Sequence, residues 1–480
     1  MFIANKLRSI ETAAAAPGGV WLALQPTARL RGTVTLPGSK SLTNRELILA
    51  ALADGPSTLS GVLRSRDTDL MIAALEALGV KISKLATKDT LNYKLAITPP
   101  AELTGPATID CGLAGTVMRF MPAVATLATG PVAFDGDHYA RKRPMRPVLA
   151  ALVDLGADIA SDCRHALPFT VHGRGALEGG RVRLNASQSS QFVSGLLLAA
   201  ARFKQGVHIM HTGDKLPSLP HIEMTLAALT ARGVTTAAEH PGEWRVQPGT
   251  IAARDLTIEP DLSNAAPFLA AALVTGGTVR IHNWPATTTQ IGDRLRELLP
   301  LFGAAVKLSQ GTLTVSGTGK IKGVKLHLPD AGELAPNLIG LAALADEPSE
   351  ITGIGHIRHH ETDRISALVA EINALGGKAQ ELSDGIKITP ARLNPGVWRS
   401  YADHRMATTG ALIGLAVPGV EIDDIGCVSK TMPDFVRMWE QLLRGEQLAS
   451  AATAATSAAT LLLPGSALAS IPMPDTDCDR

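Results

Sequence analysis

The stretch Ala74-Leu75-Glu76-Ala77-Leu78-Gly79-Val80 decides how this chain is read. It has the form of an amphipathic helix end, then a glycine, then the start of a strand. Glycine there suits a helix C-terminus that turns through a left-handed residue before the chain extends. The pattern returns as Leu152-Val153-Asp154-Leu155-Gly156-Ala157. It recurs from Leu229 to Val234 around Gly233, from Leu299 to Ala304 around Gly303, and from Ile372 to Gly377 around Gly376. By subtraction, these glycines stand 77, 77, 70 and 73 residues apart. Helix–glycine–strand junctions are common in α/β proteins, but near-regular recurrence is the mark of a repeat architecture. A sixth unit is expected to end near Leu442-Leu443. Units of this size do not suit a TIM barrel, whose eight units are shorter. They suit two domains of three units each, with Gln247 to Asp261 as a crossover near the midpoint.

Composition narrows the function. The 480 residues allow two or three domains, and 45 Lys and Arg against 44 Asp and Glu leave a formal charge of +1. Such a balance argues against a partner held by bulk charge, whether nucleic acid or membrane surface. At 4% aromatic residues, base-stacking platforms are disfavoured. Cys111, Cys163, Cys427 and Cys478 have no metal-like spacing and are too few for a disulfide scaffold, so a reducing compartment is expected. No apolar run reaches about 18 residues. No apolar segment of the signal-peptide kind follows Lys6 and Arg8. A cytoplasmic protein is therefore expected.

Anion binding must then be local, and seven clusters offer it. Leu36-Pro37-Gly38-Ser39-Lys40-Ser41-Leu42-Thr43-Asn44-Arg45 ends a strand and starts a helix capped by Ser39, with Arg45 one turn beyond Ser41. A helix N-terminus presents free N–H groups and a partial positive charge, and adjacent cations complete a phosphate site. Cys111 to Arg119 is a second small-residue turn, in which Gly115 admits a close backbone approach. Arg141-Lys142-Arg143-Pro144-Met145-Arg146 sets four cations before a helix expected over Val148 to Leu155, with Pro144 at its first position. Ser187-Gln188-Ser189-Ser190-Gln191-Phe192 opens an apolar helix, and capping accounts for only one of its hydroxyls. His356 to Arg364 is the densest titratable cluster, where the spacing puts His360 and Arg364 on one helix face. Its three histidines raise the idea of a metal, but the arginines repel a cation and no second ligand cluster stands out. Asp403-His404-Arg405-Met406 and Ser429-Lys430-Thr431 each read as a strand-to-helix turn. Taken singly, each cluster could be a solvated surface turn. Together, N-termini aimed at one cleft would concentrate positive potential there, which implies small substrates with several negative charges.

From about Leu36 to Leu443 the sequence resembles the 5-enolpyruvylshikimate-3-phosphate (EPSP) synthase family, the 3-phosphoshikimate 1-carboxyvinyltransferases. The resemblance rests on Leu36-Pro37-Gly38-Ser39-Lys40-Ser41, Ala114-Gly115-Thr116-Val117-Met118-Arg119, Arg143-Pro144 and Ser189-Ser190-Gln191-Phe192. It continues in Glu361-Thr362-Asp363-Arg364, Asp403-His404-Arg405-Met406-Ala407 and Lys430-Thr431-Met432-Pro433-Asp434. It implies an α/β fold of two domains, the enolpyruvyl transferase or inside-out α/β barrel, each domain built of three βαβαββ units. The first domain would span 39–258. The second would take 19–38 and 259–445, leaving 1–18 as an extension and 446–480 as an Ala/Ser/Thr-rich tail expected to be disordered.

The resemblance also implies chemistry. The enolpyruvyl group of phosphoenolpyruvate would pass to the 5-hydroxyl of shikimate 3-phosphate, on the chorismate route to aromatic amino acids. Phosphate would be released through a tetrahedral intermediate, with no metal or organic cofactor. By motif, Lys40, Ser41, Arg45, Ser189, Ser190, Gln191, Ser218, Glu333 and His360 would hold shikimate 3-phosphate. Lys40, Gly115, Arg143, Gln191, Arg364, Arg405 and Lys430 would surround phosphoenolpyruvate. Glu333, Glu361, Lys430 and Lys40 would carry the catalysis. The resemblance further implies a monomer that is a target of glyphosate.

The sequence also departs from the family pattern. Leu113 stands where many relatives have Asn, His221 where many have Tyr, and His360 where many have Lys, which makes the charge at 360 pH-sensitive. For the base, Leu328-Pro329-Asp330-Ala331-Gly332-Glu333-Leu334 offers two carboxylates. Counting back from a helix expected over Leu338 to Ala345 favours Glu333, with Asp330 in reserve. The alternative is the sister transferase acting on UDP-N-acetylglucosamine. That enzyme usually has Asn after the first Lys and a reactive loop Cys, whereas Ser41 follows Lys40 here and Cys111 lies in a different motif. A noncatalytic phosphate-binding protein would leave Glu333, Glu361 and Lys430 idle. An RNA-end cyclase would want a more basic surface.

Overall fold

The computed structural model describes residues 19–26, 28–161 and 165–445. The proposed extension 1–18 and tail 446–480 lie outside them, as do Cys163 and Cys478. All five repeat glycines adopt positive φ: Gly79 at 92°, Gly156 at 100°, Gly233 at 79°, Gly303 at 100° and Gly376 at 88°. Each is followed by the same closing bond. The N–H groups of Val80, Ala157, Val234, Ala304 and Gly377 donate to the carbonyls of Leu75, Leu152, Leu229, Leu299 and Ile372. These are the six-to-one bonds of a Schellman motif. A sixth helix, Phe435–Arg444, ends at Gly445 with φ of 71°.

The unit between two such ends is seen most simply in one stretch. Strand Gly180–Leu184, helix Gln191–Ala200, strand Val207–His211, helix Leu219–Thr230, then strands Thr236–Ala237 and Glu243–Val246 give βαβαββ. The first two strands pair in parallel, and the last two continue the sheet antiparallel. Among the described residues there are six sheets, four of four strands, one of five and one of three.

Three of them borrow a strand across the chain. The sheet around Ser57–Leu63 takes Leu256–Thr257 as its parallel neighbour, and the sheet around Thr278–Ile281 takes Arg31–Val34. The sixth is completed by Trp21–Leu22, antiparallel to Val420–Ile422. The exchange happens where two segments run side by side. Ser39 N–H donates to the Glu259 carbonyl and Asp261 N–H to the Pro37 carbonyl, both at 2.8 Å. The crossover is thus narrower than the expected Gln247–Asp261, because Leu256 and Thr257 are still engaged in the first half's sheet.

Burial follows the same division. One hydrophobic cluster draws on residues 47–258, and another on 21–36 and 262–443. Helices Lys40–Ala51, Gly115–Ala125 and Gln191–Ala200 pack together inside the first. Helices Ala266–Thr275, Ala335–Ala343 and His404–Gly414 do so inside the second. Every residue of Gly115–Ala125 and of His404–Gly414 is buried. A helix covered on all sides can present only its ends to a ligand, which directs function to the N-termini.

Two helix starts differ from expectation. The helix expected at Val148 begins at Arg146, with Pro147 rather than Pro144 in its first turn. The helix expected at Leu338 spans Ala335–Ala343, because Pro336 fits a first turn that needs no N–H.

Candidate active site

The N-terminal ends of both helix sets meet around one cleft. From the first half come Ser39, Lys40 and Ser41, Arg119, Arg143, Ser189, Ser190 and Gln191, and Ser218 with His221. From the second come Asp261, Asn264, Glu333, His356, His359, His360, Glu361 and Arg364, and His404 with Arg405. Five cations and three carboxylates line this space, a local surplus of positive charge in a nearly neutral chain.

Each wall residue is set by local structure. Ser39 caps the first helix by accepting from Leu42 N–H at 3.4 Å. Lys40 N–H donates to Asp261 Oδ2 at 3.1 Å, and its ammonium lies 3.7 Å from Asp67. Ser189 Oγ accepts from Gln191 N–H at 3.3 Å, whereas the Ser190 hydroxyl makes no capping bond. Ser218 holds a left-handed φ of 56° immediately before its helix, a strained choice for a non-glycine residue. Arg119 donates to Gln191 Oε1 at 2.8 Å, and Arg143 to the Leu113 carbonyl at 3.2 Å. The Nε atoms of both arginines are buried without an acceptor among the described residues.

On the opposite wall Asp403 organises the cations. Its Oδ1 caps the next helix by accepting from Arg405 N–H at 2.8 Å. The same carboxylate takes a two-pronged bond from Arg364, at 2.7 and 3.0 Å. Arg364 also donates to Glu361 Oε2 at 3.0 Å and to His360 Nδ1 at 2.8 Å. Lys430 donates to Glu361 Oε1. Arg405 is fixed by the Ser263 carbonyl at 2.8 Å and stands 4.0 Å from Glu333.

Protonation follows from this packing. Burial would raise the Glu333 carboxyl, but His221, Arg405, Lys40 and Arg364 outweigh it and bring it down to about 2. Burial likewise opposes the Glu361 charge, yet Lys430, Arg364 and Arg143 hold that carboxyl well below its ordinary range. The histidines move the other way. Burial, with Arg364 as the largest charge beside it, lowers His356 to about 4. Burial and Arg364 also push His360 far down, burial and Arg405 do the same to His404, and burial lowers His221. At neutral pH the cleft therefore holds Glu333 and Glu361 as carboxylates and His356, His360 and His404 as neutral imidazoles.

Three candidates stand behind the wall. Arg45 is buried at 1% exposure, with bonds to Thr225 Oγ1, Ser194 Oγ and the Ser41 and His221 carbonyls. It braces the wall that Ser41 and His221 form. Gly115 backs Arg143 and Gln191: a Cβ there would lie 3.0 Å from Arg143 Nη2 and 3.1 Å from Gln191 Oε1. Lys430 reaches the site through Glu361 and closes a 3₁₀ turn, Ile425–Lys430, instead of opening a helix. His360 and Arg364 meet, but not on one helix face. His360 follows the 3₁₀ turn Gly355–His359, and the α-helix begins only at Arg364. Of the two candidate bases, Glu333 lines the cavity and Asp330 does not.

Sequence reasoning quoted Arg119, His356, His359 and His404 within its clusters but gave them no role in the site, and it passed over Asp261, Asn264 and Gln290; all seven line the cavity. Arg119 was findable, since it lies one turn beyond Gly115. Asn264 and Gln290 sit in loops that carry no motif.

Comparison with known proteins gives this geometry a context. Residues 24–439 match the family model described as EPSP synthase (3-phosphoshikimate 1-carboxyvinyltransferase). A curated 3-phosphoshikimate 1-carboxyvinyltransferase from Kocuria rhizophila is 53% identical over 419 residues, covering 86% of this chain and 94% of its own. Among solved structures, an EPSP synthase from Acinetobacter baumannii superposes with a TM-score of 0.70 at 23% identity, over 88% of this chain and 98% of that one. The enolpyruvyl transferase NikO from Streptomyces tendae reaches 0.68 at 18% identity, over 89% and 98%. These two structures speak for the fold alone.

Proposed function

The chain belongs to the EPSP synthase family, and from that premise we infer that its cleft transfers the enolpyruvyl group of phosphoenolpyruvate to the 5-hydroxyl of shikimate 3-phosphate, releasing phosphate. The sister reaction on UDP-N-acetylglucosamine is not favoured. One observation carries the reading: Lys40, Arg143, Arg364 and Arg405 converge from both halves of the chain on one cavity that also holds Glu333. Two phosphates and two carboxylates need that many cations, and the transfer needs a base among them.

In this reading Glu333 accepts the proton of the 5-hydroxyl. The freed oxygen bonds to the phosphate-bearing carbon of phosphoenolpyruvate, while the methylene carbon takes a proton. The Glu361–Lys430 pair supplies that proton: Glu361 lines the cavity and Lys430 is hydrogen-bonded to it. The tetrahedral ketal then expels phosphate as the new methyl group returns a proton to the same pair. Lys40, Arg143, Arg364 and Arg405 neutralise the acidic groups of both substrates. Ser189, Ser190 and Ser218 supply hydroxyls to the shikimate phosphate, and Gln191 lies between the ligands. Arg45 supports the shikimate side from behind, and Gly115 leaves room on the phosphoenolpyruvate side. Cys111 and Cys427 form no disulfide among the described residues, which supports a reducing, cytoplasmic setting. The test is phosphate release, expected only when both shikimate 3-phosphate and phosphoenolpyruvate are supplied. Release with UDP-N-acetylglucosamine in place of shikimate 3-phosphate would transfer the assignment to the sister reaction.

A further inference from the structure

Position 360 is where the sequence left the charge of the site open, and the surrounding geometry closes the question. Arg364 Nη1 lies 2.8 Å from His360 Nδ1. A guanidinium only donates, so Nδ1 must present its lone pair and the ring proton must sit on Nε2. Arg364 cannot swing away to permit otherwise. It is 2% exposed, and its Nε and Nη2 donors are taken by Asp403 and Glu361. A second proton on His360 would have to enter at Nδ1, break this bond and set two cations in contact.

The other charged or titratable groups facing the ring are Glu361 on its own segment, His356 and Arg143. His356 stands edge-on, with ring centroids 5.9 Å apart. Glu361 favours a charged ring, but its carboxylate is already engaged by Lys430 and Arg364. Arg143 and Arg364 oppose one. The free ring atom of His360, Nε2–H, belongs to a residue that lines the cavity.

We propose that His360 is a specificity-determining residue that recognises shikimate 3-phosphate as a permanently neutral Nε2–H donor, locked in that tautomer by Arg364. The proposal rests on the function inferred above. It means that the cation surplus of the cleft is carried by Lys and Arg alone, and that this contact does not fade as pH rises through the ordinary histidine range. It also means that a side chain offering an acceptor to Arg364 and a neutral donor to the ligand can replace His360. Glutamine meets both demands and alanine meets neither.

Two measurements test this on the full-length protein. The first is ¹⁵N–¹H correlation of the imidazole rings, with His360→Gln used to identify the signals of residue 360. The expected spectrum has an Nε2–H tautomer that does not titrate between pH 5.5 and 8.5. A ring that titrates in that window, or carries its proton on Nδ1, overturns the proposal. The second is steady-state kinetics. His360→Ala is expected to raise KM for shikimate 3-phosphate about tenfold, the worth of one hydrogen bond to a charged group, with KM for phosphoenolpyruvate changing far less. His360→Gln is expected to recover most of that loss. A Gln variant no better than Ala, or equal effects on both substrates, overturns the proposal. Absence of wild-type turnover would sink the assigned reaction instead, and the ring spectrum would still decide the tautomer.

Discussion

Replacing Glu333 with Gln tests the electrostatics of the cleft and its chemistry together. The substitution keeps the size of the side chain and removes a charge that His221, Arg405, Lys40 and Arg364 hold in place. The carboxyl falls from an ordinary 4.5 to about 2, which corresponds to roughly 3 kcal/mol of preference for the ionised form in the folded chain. The side chain is 28% exposed, so solvent screens only part of this. Because the folded value is depressed, that stability is present above the unfolded value and is lost as pH falls toward about 2. The Gln variant is therefore less stable than the parent at pH 7 by up to roughly 3 kcal/mol, and by about 2 kcal/mol at pH 3.5. Urea unfolding without substrates measures both. Equal stability at pH 7, or a deficit that grows on acidification, would refute the reasoning.

The same charge set has a kinetic side. A carboxylate held near 2 is a weak base, but two acidic substrates neutralise the cations that hold it there. Its basicity should rise as the site fills. The acid limb of kcat is therefore expected at higher pH than that of kcat/KM, and Glu333→Gln should lower kcat by about 10² to 10⁴. Unchanged turnover would remove Glu333 from the role of base.

Gly233→Ala isolates the cost of the repeated turn. A Cβ there meets no atom within 4 Å, so only the positive φ of 79° opposes it. A loss of about 1 kcal/mol in urea unfolding is expected, with turnover unaltered, and a more stable variant would contradict the turn argument. Gly115→Ala should press on Arg143 and Gln191 and raise KM for phosphoenolpyruvate about tenfold, more than KM for shikimate 3-phosphate. Equal changes would place Gly115 on neither side in particular. Glyphosate is expected to inhibit phosphate release through the space that Gly115 leaves, and an unaffected rate at about millimolar inhibitor would count against it.

What could be read in advance was what the backbone demands. Gly79, Gly156, Gly233, Gly303 and Gly376 announce themselves because a left-handed helix end tolerates little else. The clusters at Lys40, Gln191, Arg364 and Arg405 were visible for the same reason, since each opens a helix. What could not be read was which side of a wall a residue occupies. Arg45 shares a motif with Lys40, yet it turns inward to Thr225 and Ser194, partners some 150 to 180 positions away in the chain. Lys430 enters the site from the end of a 3₁₀ turn, where helix periodicity gives no guide. The neutrality of His360 depends on a contact with Arg364 that i, i+4 spacing suggested for a different reason. Asn264 and Gln290 reach the cavity from loops near the crossover, which only the tertiary path of the chain defines.

The pairing of Trp21–Leu22 with Val420–Ile422 has a consequence for how the molecule is made. On a ribosome adding about 5–20 residues per second, these early residues wait for a partner some 400 positions later, roughly 20–80 s. The strand Arg31–Val34 waits through the whole first half for Thr278–Ile281. During that interval residues 47–258 can assemble their own core while an unsatisfied β-forming leader hangs beside them. Newly made chains should therefore be most prone to wrong strand pairing between completion of the first lobe and emergence of the last.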